Sequence, residues 1–266
     1  MTASAKTRID LLLVERGLVQ SRERARAMIL AGRVMVAEQK VEKPGATVAA
    51  DAAIRLLGED QPYVSRGGLK LAGALEHWQI DVKGRWCLDV GASTGGFTDC
   101  LLKHGAAHVT AVDTGFGQIA MALRQDSRVK LMERTNARLL EPGALAAGKL
   151  ATGPGEELTL LVMDVSFISA TLVLPPVISA APGLVEAVVL VKPQFEAGRQ
   201  HVGKGGIVRD PEAHQLAIDK VAACVGAIGW RVVETIASPI TGMEGNKEFL
   251  LYARRALHAA DQASPV

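Results

Sequence analysis

Cys87-Leu88-Asp89-Val90-Gly91-Ala92-Ser93-Thr94-Gly95-Gly96-Phe97 reads as a buried strand, a glycine turn and the opening of a helix over Phe97–His104. Such a turn brings bare backbone N–H groups up to a ligand. Gly91, Gly95 and Gly96 allow close approach and positive φ, and Ser93 or Thr94 supplies a helix cap. Val109–Val112 reads as a second apolar strand ending in Asp113. That is about twenty residues past the turn, where an acidic side chain accepts from ribose hydroxyls. Together they imply a nucleoside-cofactor site. The dinucleotide fingerprint is G-x-G-x-x-G and this turn is G-x-x-x-G-G, which weakens a pyrophosphate reading and leaves the cofactor open.

At 266 residues and 48% hydrophobic, the chain can hold one large domain with a small companion. A net charge of +2 does not by itself advertise a nucleic-acid partner. Cys87, Cys100 and Cys224 have no C-x-x-C spacing, which argues against zinc, disulfides and an oxidising compartment. No histidine spacing suggests another metal. The N-terminus lacks the apolar core of a secretion signal, so a cytoplasmic location is expected. Ala170–Val191 carries only Glu186, yet Pro175, Pro176, Pro182 and Gly183 break it into a helix and a strand. It reads as core, not as a membrane span.

Thr7–Gly17 has helical spacing, with Thr7 as a possible cap and Asp10 three residues later. Ser21 caps a second helix, Arg22–Ala31, which Gly32 stops, and Arg33–Val36 begins a strand. Five arginines stand between Arg16 and Arg33 against one acid, Glu23. Arg22, Arg26 and Arg33 can converge on a phosphate backbone, although a solvated helix face carries the same pattern. After a strand near Ile54–Leu57, Gly58–Pro62 reads as a domain boundary.

Beyond it, a helix runs from Ser65 or the glycines that follow to Trp78, and Lys70 lies in its first turn, a poor place for a cation. Then come a helix near Gln118–Leu123, a strand at Val129–Met132, a loop with Asn136, and a Pro- and Gly-rich connection from Pro142 to Gly155. Leu158–Met163 ends in Asp164 and Ala187–Val191 ends in Lys192. Helix Pro211–Ile228 and strands Arg231–Ile236 and Glu248–Arg254 close the chain.

Unalternating apolar strands separated by helices imply a parallel sheet covered on both faces, whose ligands bind beyond the carboxyl strand ends. Asp164 and Lys192 share that edge with the glycine turn, as an acid–base pair or a structural ion pair. The loop Gly198–Arg209 can close over a substrate. The expected fold is α/β: a Rossmann-like domain over 61–266, with a linker at 61–64 and a tail from 255, preceded by a small α+β domain over 1–60.

The N-terminal stretch resembles the small RNA-binding domain shared by a small-subunit ribosomal protein, pseudouridine synthases and tyrosyl-tRNA synthetases. The resemblance lies in Arg8-Ile9-Asp10, Leu11–Gly17, Ser21-Arg22 to Ala27, Ile29, Gly32 and Val34–Val36. It implies RNA contacts for Arg8, Arg22, Arg26 and Arg33, joined by Arg66 from the second domain. Lys70, Asp164, Lys192 and Glu248 resemble, in order and context, the tetrad of FtsJ-like ribose 2′-O-methyltransferases. Ser65–Lys70, Gly91–Phe97, Glu133–Arg138, Asp164–Ser169 and Val191–Glu196 are similar to blocks of the TlyA family, once labelled hemolysins.

That resemblance implies S-adenosylmethionine held by Gly91, Ala92, Ser93, Thr94, Gly95, Gly96 and Phe97, beside Asp164, with Asp113 on its ribose and Asn136 near the adenine. It implies a cytidine 2′-hydroxyl of 16S or 23S ribosomal RNA as substrate, and the RNA or a ribosomal subunit as partner. Lys192 is assigned to the hydroxyl, Asp164 tunes it, and Glu248 and Lys70 complete the network. Which lysine accepts the proton stays open. Two other classes are a non-catalytic RNA-binding assembly factor, which has no need of the tetrad, and a membrane-active cytolysin, for which the sequence offers no span, signal or long cationic amphipathic helix.

Overall fold

The computed structural model describes residues 6–19, 21–57, 62–146, 156–242 and 244–256. The chain divides into two compact units, one up to residue 60 and one from residue 61 onward. Most of the Gly58–Pro62 stretch, 147–155 of the Pro- and Gly-rich connection, and the tail from 257 lie outside the described residues.

In the first unit, β1 (Lys6–Arg8) leads directly into α1 (Ile9–Glu15), followed by α2 (Arg22–Leu30), β2 (Val34–Val36), β3 (Gln39–Lys40), β4 (Thr47–Ala49) and β5 (Ile54–Leu56). β1 pairs antiparallel with β4, and β2 lies between β3 and β5. Ile9, Leu13, Ala25, Met28, Ile29 and Val34 form its core. Thr7 is not the cap of α1: it pairs with Val48, and the helix begins two residues later behind Arg8. The capping box fails because the Asp10 carboxylate accepts from Arg8 and Arg22 instead. Ser21 does cap α2, accepting from Arg24 N at 3.2 Å.

The second unit runs α3 (Gly67–His77), β6 (Trp86–Val90), α4 (Gly96–Lys103), β7 (His108–Val112), α5 (Met121–Arg124), β8 (Val129–Met132), β9 (Leu158–Met163), α6 (Leu174–Ala180), β10 (Glu186–Val191), α7 (Pro193–Glu196), α8 (Pro211–Ala227), β11 (Trp230–Ala237) and β12 (Phe249–Arg255). Among the described residues, seven strands of this unit form one sheet in the order β11-β12-β10-β9-β6-β7-β8. Leu88, Val90, Leu161, Met163, Val189 and Val191 pack on one face beneath α6 and α8; Cys87, Val109, Leu160, Val162, Val188 and Leu190 pack on the other with α3 and α4. Strands buried on both faces carry no polar alternation.

The sheet is mixed, which corrects the all-parallel expectation. β8, β7, β6, β9 and β10 run parallel, whereas β12 is antiparallel to both β10 and β11. Among the described residues no helix separates β11 from β12, so the connection offers no helical crossover with which to keep the strands parallel. The caps also differ: neither Ser93 nor Thr94 caps α4, whose N-cap is Gly95, and Ser65 does not cap α3.

The chain steps outward from β6 through β7 to β8, then returns to β9 on the other side of β6. The crevice of such a sheet opens at this reversal. There Gly91 has φ +88°, and a Cβ on it would lie 2.3 Å from the Asp164 carbonyl oxygen. Gly117 has φ +72° with open space around it. Gly117→Ala should therefore cost about 1–2 kcal/mol for the left-handed backbone alone. Gly91→Ala should cost clearly more in urea denaturation, and equal costs would contradict the packing described.

Candidate active site

Strand direction explains the second unit's charged edge. β12 runs against β10, so its beginning lies where β10 ends, and Phe249 pairs with Val191. Continuing that register by one residue sets Glu248 opposite Lys192. In an all-parallel sheet Glu248 would stand at the far edge. Lys192 and Asp164 follow the ends of the neighbouring parallel strands β10 and β9.

These residues form two ion pairs. Lys70 Nζ donates to Glu248 Oε2 at 2.5 Å, and both residues are buried. The acceptor accounts for a lysine in the first turn of α3, where the helix dipole disfavours a cation. Lys192 Nζ lies 2.6 Å from Asp164 Oδ1, at angles outside those of a hydrogen bond, and donates to Ser166 Oγ at 2.6 Å. From α3 to β9 the charges alternate: Lys70, Glu248, Lys192, Asp164.

Ser166 and the ring beside it are functional candidates that residue-type reasoning passed over. Phe167 is 93% exposed and has φ +64°, an unfavourable backbone for a side chain of its size. Its ring centroid is 5.5 Å from that of Phe195, three residues beyond Lys192. Exposed strained aromatics cluster at sites that use them. Their sequence signals were their place just after Asp164 and Lys192 and their membership of the family-like blocks Asp164–Ser169 and Val191–Glu196.

The glycine turn lies next to Asp164, whose N–H donates to Val90 O. Its glycines are needed largely for packing: a Cβ on Gly95 would strike Leu123, and one on Gly96 would strike Ser65 and Gly68. Ser93 and Thr94 are exposed; Ala92 is buried, and the Phe97 side chain belongs to the core, so it presents no ring to a ligand. Asp113 secures the turn, accepting from Ser93 N at 2.8 Å and Gly115 N at 2.6 Å. Asn136 is exposed after the adjacent strand β8, its Oδ1 accepting from Arg138 N.

Beneath the turn, Asp89 is fully buried on β6. Thr98 Oγ1 donates to its Oδ2 at 2.6 Å, and Oδ1 finds no hydrogen-bond partner among the described residues. Burial above all, with smaller contributions from the charges of Asp164 and Asp113, raises this carboxyl to about 7 against the opposing effect of the Thr98 hydrogen bonds. Three carboxyls thus surround the turn. Asp89 lies beneath the turn, Asp113 upon it, and Asp164 beside it in its pair with Lys192.

The loop after α7 is held in place. Asn246, 1% exposed, accepts from Val208 N and donates to Gly206 O, both at 2.9 Å. Arg66 donates to Thr241 O at 3.1 Å, on the segment that leads to Glu248. Among the described residues, no three or more His, Cys, Asp or Glu side chains are placed so that they could hold a metal ion.

In the first unit, the buried Asp10 accepts from Arg8 Nε at 3.0 Å and Nη2 at 2.9 Å, and from Arg22 Nε at 3.0 Å. The Arg8 hydrogen bonds, with the Arg22 contacts, hold its carboxyl down at about 2 against the opposing effect of burial. Arg8 and Arg22 therefore converge, each still about half exposed. Arg26 and Arg33 take no part in that cluster.

A family model described as FtsJ-like methyltransferase matches residues 63–255. The chain belongs to the FtsJ-like methyltransferase family. A second model, the S4 domain, matches residues 7–54. The chain is 45% identical over 259 residues to the 16S/23S rRNA (cytidine-2′-O)-methyltransferase TlyA of Mycobacterium tuberculosis, covering 96% of this chain and 93% of that protein. It is 38% identical over 246 residues to Hemolysin A of Brachyspira hyodysenteriae, covering 92% and 98%. A solved structure from Streptococcus thermophilus, described as a candidate hemolysin, superposes with a TM-score of 0.69 at 40% identity, covering 96% of this chain and 90% of that one. No helix among the described residues is long and apolar enough to cross a membrane.

The Asp89 carboxyl yields a pH signature. Its folded value, about 7, lies above the ordinary 3.8. The stability it contributes is complete below about 4 and is lost as pH rises through about 7. In urea denaturation, the stability of Asp89→Asn relative to wild type should rise from pH 5 to pH 8 and then level. Parallel pH profiles for the two proteins would contradict the buried carboxyl's assignment.

Proposed function

We propose that this methyltransferase uses S-adenosylmethionine to methylate the ribose 2′-hydroxyl of cytidine in ribosomal RNA, in the cytoplasm. The observation that carries this reading is the alternating row Lys70, Glu248, Lys192, Asp164 beside an anionic glycine turn. The name borne by the Mycobacterium tuberculosis relative supports it. A protein that only bound RNA would have no use for a buried Lys70–Glu248 pair and a buried Lys192 held against Asp164, since buried charges are costly to desolvate.

Ser93, Thr94, Asp113 and Asn136 would hold the nucleoside, and Asp89 and Asp164 would complement the cationic end. Bound there, S-adenosylmethionine supplies an electrophilic methyl group. The chain's own task is to align the 2′-oxygen and remove its proton. Lys192 is the residue placed for that task, since it adjoins both Asp164, at the turn, and Ser166. Asp164 and Ser166 orient its amine, and Lys70 with Glu248 fixes the charge on the other side. The Phe167 and Phe195 rings offer a stacking face for a base drawn out of the RNA, a contact worth about 1–3 kcal/mol.

In the S4 domain, Arg8 and Arg22 present spare N–H groups to phosphates while Asp10 fixes their direction. Replacing both with alanine should weaken binding to ribosomal RNA and reduce the salt slope of log K by about 2. An unchanged slope would remove this patch from the interface.

Methyl transfer from labelled S-adenosylmethionine to isolated small and large ribosomal subunits tests the reaction. Wild type should label at least one subunit. Lys192→Ala should lose at least ~100-fold in rate while still binding S-adenosylmethionine. Undiminished transfer by Lys192→Ala would refute its role, and no transfer to either subunit by wild type would refute the substrate.

A further inference from the structure

We propose that Glu196 is a positioning residue for the Asp164–Lys192 pair, an inference that rests on the function proposed above. Its side chain contacts neither partner. It is 5% exposed, and its carboxylate is fully engaged: Oε1 accepts from Ala170 N at 2.6 Å and Oε2 accepts from Ser169 Oγ at 2.5 Å. Lys220 Nζ lies 3.2 Å from Oε2 and donates to the Glu196 carbonyl oxygen at 3.1 Å. A buried carboxylate with this many partners fixes geometry closely, because every alternative leaves a polar group unpaired.

The geometry lies in what those bonds join. Lys192 and Glu196 bracket one short turn, α7, tightened by Phe195 N donating to Lys192 O at 2.9 Å. Asp164 and Ser169 bracket the loop after β9, which also carries Ser166 and Phe167. Glu196 thus ties the far ends of two loops whose near ends place Lys192 Nζ against Asp164 and Ser166. The same tie sets the Phe195 ring beside Phe167. Without the carboxylate, the Ala170 N–H loses its acceptor, the loops can part, and Lys192 is free to leave Asp164.

The test uses the full chain and two independent readouts. One is kcat and KM for methyl transfer to ribosomal subunits; the other is the rate at which acetic anhydride acetylates Lys192, read by mass spectrometry without cofactor. Glu196→Ala should lower kcat by roughly 10- to 100-fold, the scale of an ångström-level misplacement. KM for the RNA should stay within about twofold, as for a group acting only on the reacting geometry. Lys192 should acetylate faster in Glu196→Ala. Glu196→Gln should restore most of kcat and of the protection, since its amide can accept from Ala170 N and donate to Ser169 Oγ.

Ser169→Ala removes one hydroxyl and should shift both readouts the same way by less, which keeps the proposal testable if Glu196→Ala folds poorly. Unchanged kcat and unchanged acetylation in Glu196→Ala would overturn the proposal. So would a Glu196→Gln variant as impaired as Glu196→Ala. If wild type transfers no methyl group, the proposed function fails, and the acetylation rates still decide whether Glu196 positions Lys192.

Discussion

A lysine amine held against a carboxylate at the mouth of a sheet crevice is the contact on which the second unit is built. Lys192 and Asp164 stand at the ends of adjacent parallel strands, and Gly91 leaves room for the Asp164 backbone beside the turn. A buried ammonium is tolerated only when paired, and removing one partner of such a pair leaves the other charge uncompensated. The second pair, Lys70 with Glu248, extends the line and depends on an antiparallel strand whose start reaches the carboxyl edge. The departure from a purely parallel sheet is therefore part of how the site is assembled.

The turn itself combines two demands. Gly95 and Gly96 admit helix and side-chain neighbours at distances a Cβ would forbid, so the loop is compact because of packing. Its charge comes from elsewhere: Asp89 beneath, Asp113 from β7 and Asp164 from β9. Burial chiefly, and the charges of Asp164 and Asp113 to a lesser extent, raise the Asp89 carboxyl toward neutrality. The same economy of carboxylates appears in the S4 domain, where Asp10 gathers two arginines that would otherwise repel.

Much of this was legible in the sequence because strands buried on both faces read as unbroken apolar runs. Leu158–Met163 and Val129–Met132 match their expected bounds residue for residue, and Asp164 and Lys192 fall at strand ends as expected. Strand direction was not legible: nothing in Arg231–Ile236 or Glu248–Arg254 encodes it, and only the short connection between them hints at a hairpin. Caps misled for a physical reason, since a Ser or Thr near a helix start is not a cap when glycine or an extended partner strand takes the position, as at Gly95 and Thr7. Phe167 and Glu196 were invisible as candidates because their roles depend on which loops the fold brings side by side.

The most direct test of the central claim is where the methyl group lands. Nucleoside mass spectrometry of ribosomal RNA treated with the purified chain and S-adenosylmethionine should find 2′-O-methylcytidine, absent from RNA treated with Lys192→Ala. A methyl group on a base, with the ribose unmodified, would contradict the account, because the role proposed for the charged row is to align and deprotonate a hydroxyl.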